Sequence, residues 1–121
     1  MVSSKANPRR SNGARRNKLR ARLKAEGRGC WICRAFGRPD RIDYDLPAGD
    51  PGAFEVDELV PVSKGGSPYD YDNLDAVHRC CNQWRGNKSV AHVKAIAQGL
   101  YKNHDPLPLP YDPLPQPFDD W

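Results

Sequence analysis

Hydrophobic positions along this chain come in short, separated groups, and each group predicts a different element. Leu19 and Leu23 stand four apart among arginines, lysines and alanines, with Gly27 as a stop. That spacing predicts a helix over 14–28 with a narrow apolar seam and a free basic face. Phe54-Glu55-Val56-Asp57-Glu58-Leu59 alternates, which predicts a strand, and Gly65-Gly66 marks a turn after it. Ser89 is placed to N-cap a helix through Val90, Val93, Ala97 and Leu100, giving a C-terminal helix over 91–103 with Gly99 near its end. Residues 1–13 are polar and aperiodic, and we expect a disordered basic arm there. From Asp105 onward, Pro106, Pro108, Pro110, Pro113, Pro115 and Pro117 recur, so 104–121 reads as an extended, proline-rich disordered tail.

The chain has 121 residues, 38% of them hydrophobic, and its mean hydropathy is −0.81. No run approaches the roughly 18 apolar residues of a membrane span, and no apolar segment follows the basic start. A membrane protein, a secreted precursor and a large multi-domain enzyme are set aside; a soluble, cytoplasmic domain is expected. Discounting both ends leaves about 75 structured residues, for which a hydrophobic core alone supplies about 3–5 kcal/mol. Such a domain needs a staple.

Charge is divided unevenly. Residues 1–28 carry ten Lys or Arg and one acid, Glu26, a balance of +9, whereas the remainder carries nine basic and fourteen acidic residues, a balance of −5. A basic arm on an acidic body suits a polyanionic partner.

Four cysteines provide the staple. Cys30-Trp31-Ile32-Cys33 is a C-x-x-C, and His78-Arg79-Cys80-Cys81 contains an H-x-x-C with the same gap. Four cysteines also allow two disulfides, but nothing points to export, and cytosolic thiols stay reduced. Cys80 and Cys81 are adjacent, so their side chains diverge and cannot easily share one tetrahedral ion. We therefore expect a closed structural zinc site of Cys30, Cys33, His78 and Cys81, with Cys80 a spare thiol. Such a site contributes on the order of 10 kcal/mol to folding.

Between and after these ligands the chain reads Asp57-Glu58-Leu59-Val60-Pro61, Gly65-Gly66-Ser67, Asn73-Leu74, and His78-Arg79-Cys80-Cys81-Asn82-Gln83-Trp84-Arg85-Gly86-Asn87-Lys88. In this order the motifs resemble the HNH endonucleases of the ββα-metal superfamily, in particular small HNH proteins of actinobacterial phages, over about residues 28–90. The resemblance implies a small α+β fold: a zinc-stapled ββα-metal domain over 29–90, flanked by N- and C-terminal helices. It also implies that Asp57 and Asn82 ligate a catalytic Mg²⁺ or Mn²⁺ ion and that Asn73 pins the loop and positions the base. Glu58 stands where the family has its histidine base, so the first H of HNH is missing.

Hydrolysis of a phosphodiester needs a deprotonated water and a hard cation at the phosphate, and one carboxylate with an amide oxygen suits Mg²⁺ or Mn²⁺. Asp57 and Glu58 are neighbours on a strand, so their side chains point to opposite faces. A glutamate is a weaker base than histidine, yet it is ionised at neutral pH and remains so well below the histidine value of about 6.5. The function expected is a DNA endonuclease or nickase of low sequence specificity. Arg15, Arg16, Arg20, Arg79, Arg85 and Lys88 are expected to grip phosphates of double-stranded DNA. Trp31 reads as a lid over the metal and Trp84 as core. The resemblance adds a phage terminase as partner and the host cytoplasm as setting. The competing reading is a zinc-stabilised DNA-binding packaging accessory that cuts weakly or not at all.

Overall fold

A computed structural model describes residues 8–110; the expectations for 1–7 and 111–121 lie outside it. In chain order the elements are α1 (Pro8–Glu26), α2 (Trp31–Ala35), β1 (Phe54–Glu58), 3-10 turns at Val62–Lys64 and Tyr71–Asn73, β2 (Leu74–His78), α3 (Arg79–Arg85) and α4 (Val90–Ala97). This is a small α+β architecture, and no described helix is long and apolar enough to cross a membrane.

β1 and β2 pair antiparallel, with Phe54 opposite His78, Val56 opposite Ala76, Asp57 opposite Asp75 and Glu58 opposite Leu74. Partners in such a pair share a face, so Phe54, Val56 and Glu58 lie with Leu74 and Ala76, while Glu55 and Asp57 lie with Val77 and Asp75. α1 covers the first face and α3 follows directly from β2 toward the second. Covering on both sides explains why the strand departs from simple alternation: Phe54 and Asp57 are buried, and the residues between them only half so.

α1 begins at Pro8, earlier than the disordered arm expected over 1–13. It ends where the sequence suggests, at Gly27, whose φ of +64° favours glycine. Leu23 is fully buried and Leu19 packs beside it, but the basic face is not free. Arg15 lies 4.0 Å over the Tyr69 ring, Arg20 4.4 Å over Phe54 and Arg22 3.6 Å over Tyr71. Two leucines offer too little apolar area to hold a helix, and guanidinium groups stacked on rings supply the rest.

Leu23, Ile32, Val77 and Val93 form the core with the buried cysteines. α4 is N-capped by Ser89, whose hydroxyl accepts from the His92 amide at 3.0 Å. It stops at Ala97, leaving Leu100 largely exposed. The proline segment departs from the free tail expected over 104–121, because its described part, 104–110, is tied to the body. Trp84 donates to the Asp105 carbonyl at 2.9 Å, Arg38 donates to that of Pro108, and Pro110 is buried.

Candidate metal centre and active site

Cys30 caps α2 and its sulfur accepts from the Cys33 amide, so the first turn of this helix holds both thiols on one side. His78 closes β2 and Cys81 lies in the first turn of α3. The leading amides of α3 are held by the loop that precedes β1, the Arg79 amide donating to the Ala53 carbonyl and the Cys80 amide to that of Pro51. All four side chains are buried, and their ligand atoms lie within 4.8 Å of one another. Zinc–sulfur bonds of about 2.3 Å in a tetrahedron place sulfurs about 3.8 Å apart. Cys33 and Cys81 sulfurs stand at 3.7 Å, and the His78 Nδ1 lies 3.3 and 3.9 Å from them. The cluster fits a zinc ion.

The surroundings favour the same ion. His78 Nε2 donates to the Arg41 carbonyl at 2.8 Å, which leaves Nδ1 bare toward the sulfurs, as a metal-ligating imidazole requires. Hydrogen bonds with Cys30 and Cys81, helped by the Arg38 guanidinium, hold the Cys33 thiol down at about 3, while its neighbours push Cys81 up. Three thiolates around a divalent ion carry one excess negative charge. Arg38 offsets it, donating to Cys33 Sγ at 3.2 Å and to Cys81 Sγ at 3.3 Å. Replacing Arg38 with glutamine is therefore expected to weaken zinc binding about 10–100-fold, read by chelator competition. Cys80 stands outside the cluster and lies against the Leu109 carbonyl.

The residues expected to act on substrate occupy both faces of the hairpin. Asp57 is buried, and a single oxygen, Oδ2, accepts from Trp31 Nε1 at 2.8 Å and from Arg85 Nη1 at 2.5 Å. Burial pushes its carboxyl above the ordinary value, against the pull of the indole and the guanidinium. Trp31 is thus a donor to Asp57 rather than only a lid over the metal. Asn82 donates to Glu55 at 2.9 Å. Glu58, on the opposite face, accepts from Arg16 at 2.9 Å and keeps its side chain 26% exposed.

Asn73 ties together the turn that follows β1. Its Oδ1 accepts from the Val60 amide, and its Nδ2 donates to the carbonyls of Val60 and Ser67 at 2.9 and 3.0 Å. Gly66 is required in this turn, since a Cβ there would overlap the Val60 carbonyl. Asn73→Ala removes three hydrogen bonds and is expected to cost about 2–3 kcal/mol, measured by denaturant unfolding.

A hard cation is compatible with part of this arrangement. Asp57 Oδ1 and the Asn82 side-chain oxygen, Oδ1, have no hydrogen-bond partner among the described residues. They are the oxygens such an ion takes, with Trp31 and Arg85 orienting the carboxylate through Oδ2. Beyond the thiolate cluster, no group of three His, Cys, Asp or Glu converges as a metal site among the described residues.

Comparison with family models, with curated proteins and with solved structures finds no match. The chemistry of the chain is therefore read from its own geometry, and that geometry revises the expected phosphate-gripping set. Arg85 is only 2% exposed, and each of its three guanidinium nitrogens is bonded within the protein: to Asp57, to the Glu58 and Leu59 carbonyls and to that of Lys88. A residue so enclosed does not reach a phosphate. Arg79 pairs with Glu55 at 3.5 Å, and Lys88 donates to the Trp84 carbonyl over the indole ring. Arg38, central to the metal centre, had no sequence signal beyond lying five residues after Cys33.

Proposed function

We propose that the protein is an HNH-type DNA endonuclease or nickase in which a zinc-stapled hairpin and helix present Glu58 as general base. What supports the reading above all is the division of labour at the end of β1: the Glu58 carboxylate is solvent-reachable on one face, and Asp57 is held rigidly on the other. Asn73 fixes the turn directly after Glu58, so the base is carried on a constrained backbone. Glu58 takes the proton of an attacking water once Arg16 is drawn off it. Asp57 and Asn82 are the residues that would hold Mg²⁺ or Mn²⁺, which supplies charge neutralisation at the phosphate.

A second reading has its own support. The Asp57–Arg85 pair places a guanidinium beside the carboxylate that a cation would use, and this favours a DNA-binding packaging accessory that does not cut. Plasmid nicking with Mg²⁺ or Mn²⁺ separates the two. Cleavage by the wild type, lost in Glu58→Gln and Asp57→Asn variants that remain folded and zinc-loaded, supports the enzyme. Cleavage is also expected to persist below about pH 6, where an imidazole base is protonated. DNA retardation without nicking supports the accessory.

A further inference from the structure

Between α1 and the hairpin lies a pocket of about 130 Å³ lined by Arg16, Asn17, Arg20, Val56, Pro68 and Leu74. Two guanidinium groups and an amide form one wall, and apolar residues form the floor. One donor of Arg16 binds Glu58, and one donor of Arg20 binds the Phe54 carbonyl at 3.2 Å. Each fork has further N–H groups with no partner among the described residues. Planar forks with N–H groups to spare match the oxygens of a phosphate, and the apolar floor lowers the competition from water.

We infer that this pocket is a phosphate-binding subsite for the backbone of a nucleic acid, and that its occupancy transfers Arg16 from Glu58 to the phosphate. The inference rests on the reading that the protein acts on DNA, and it adds a location and a consequence. The phosphate sits on the Glu58 face of the hairpin, and its arrival uncovers the carboxylate. The basic residues of α1 then do two jobs: Arg15 and Arg22 dock the helix on tyrosines, Arg16 holds the ligand, and Arg20, stacked on Phe54, turns its spare N–H groups to the same ligand.

The test is a titration of the full-length, zinc-loaded protein with inorganic phosphate, followed through the amide resonances of Asn17, Val56 and Leu74. Saturable shifts at these positions are expected. Arg20→Gln and Arg16→Lys should each weaken binding about tenfold or more, the lysine keeping charge but losing the fork. Glu58→Gln removes the internal competitor for Arg16 and should tighten binding severalfold. Asp43→Asn, the same charge change at a distant surface position, should not. A short DNA duplex should displace the phosphate from the pocket. Shifts spread evenly over all basic residues, indifference to Arg20→Gln or Arg16→Lys, or equal effects of Glu58→Gln and Asp43→Asn would overturn the subsite. Failure of the duplex to compete would overturn its assignment to a nucleic-acid backbone. Neither readout needs cleavage, so a protein that binds here without cutting refutes the nuclease reading and leaves this one standing.

Discussion

Cys33→Ser unfolds the domain. The sulfur of Cys33 is in contact with Cys81, His78 and Arg38, so its loss opens a metal site worth on the order of 10 kcal/mol. The rest of the fold cannot absorb that deficit, because whole domains are stable by only about 5–15 kcal/mol. Among the described residues, α2, β2 and α3 meet at the cluster, with Cys30, Cys33 and Cys81 among the fully buried side chains. The expected results are one zinc per folded chain by metal analysis and loss of the cooperative thermal transition in the variant or after chelation. Cys80→Ser serves as the contrast. Its sulfur lies outside the cluster, and its replacement should change stability by less than about 1 kcal/mol. A Cys33→Ser protein that melts like the wild type would remove the metal from the account of the fold.

The second large effect concerns Arg85, and its direction can be argued against that of its partner. Asp57→Ala leaves a buried guanidinium without its carboxylate, a loss of about 3–5 kcal/mol for a broken buried pair. Arg85 then still has the carbonyls of Glu58, Leu59 and Lys88. Arg85→Ala strips those three carbonyls as well as the carboxylate. It should therefore be the more damaging change, by about 1–3 kcal/mol. Denaturant unfolding of the two variants tests the order; a reversed order would mean that the carbonyl bonds contribute little. The pH dependence has a definite sign. Because burial raises the native pKa of Asp57, this group favours the folded state at low pH, and its contribution is lost as pH rises from about 3.9 through the native value. The stability difference between wild type and Asp57→Asn should move in that sense over the acid range.

The staple and the elements joined to it were legible because their signals are local or strictly spaced. Cys30, Cys33, His78 and Cys81 announce one another through paired two-residue gaps, and the alternation after Phe54, the Ser89 cap and the Gly27 stop each depend on neighbours. Where residues act across the chain, the sequence was silent. Nothing around Arg38 marks it as the counter-charge to thiolates that include one 43 residues away. The arginines of α1 looked like a solvated face because a helix wheel cannot show Tyr69, Phe54 and Tyr71 coming to meet them. Arg85 looked like a phosphate ligand for the same reason: its burial depends on Asp57, 28 residues earlier. The docked start of the proline segment was hidden by composition, since prolines disfavour regular elements without forbidding contact through their carbonyls.

The halves of the metal centre lie far apart in the chain, with Cys33 45 residues before His78 and 48 before Cys81. During synthesis at about 5–20 residues per second, the first thiol pair therefore waits several seconds before its partners leave the ribosome. The nascent domain cannot close around an ion in that interval. Its early thiols stay open to oxidation or to capture of the wrong metal until α3 emerges.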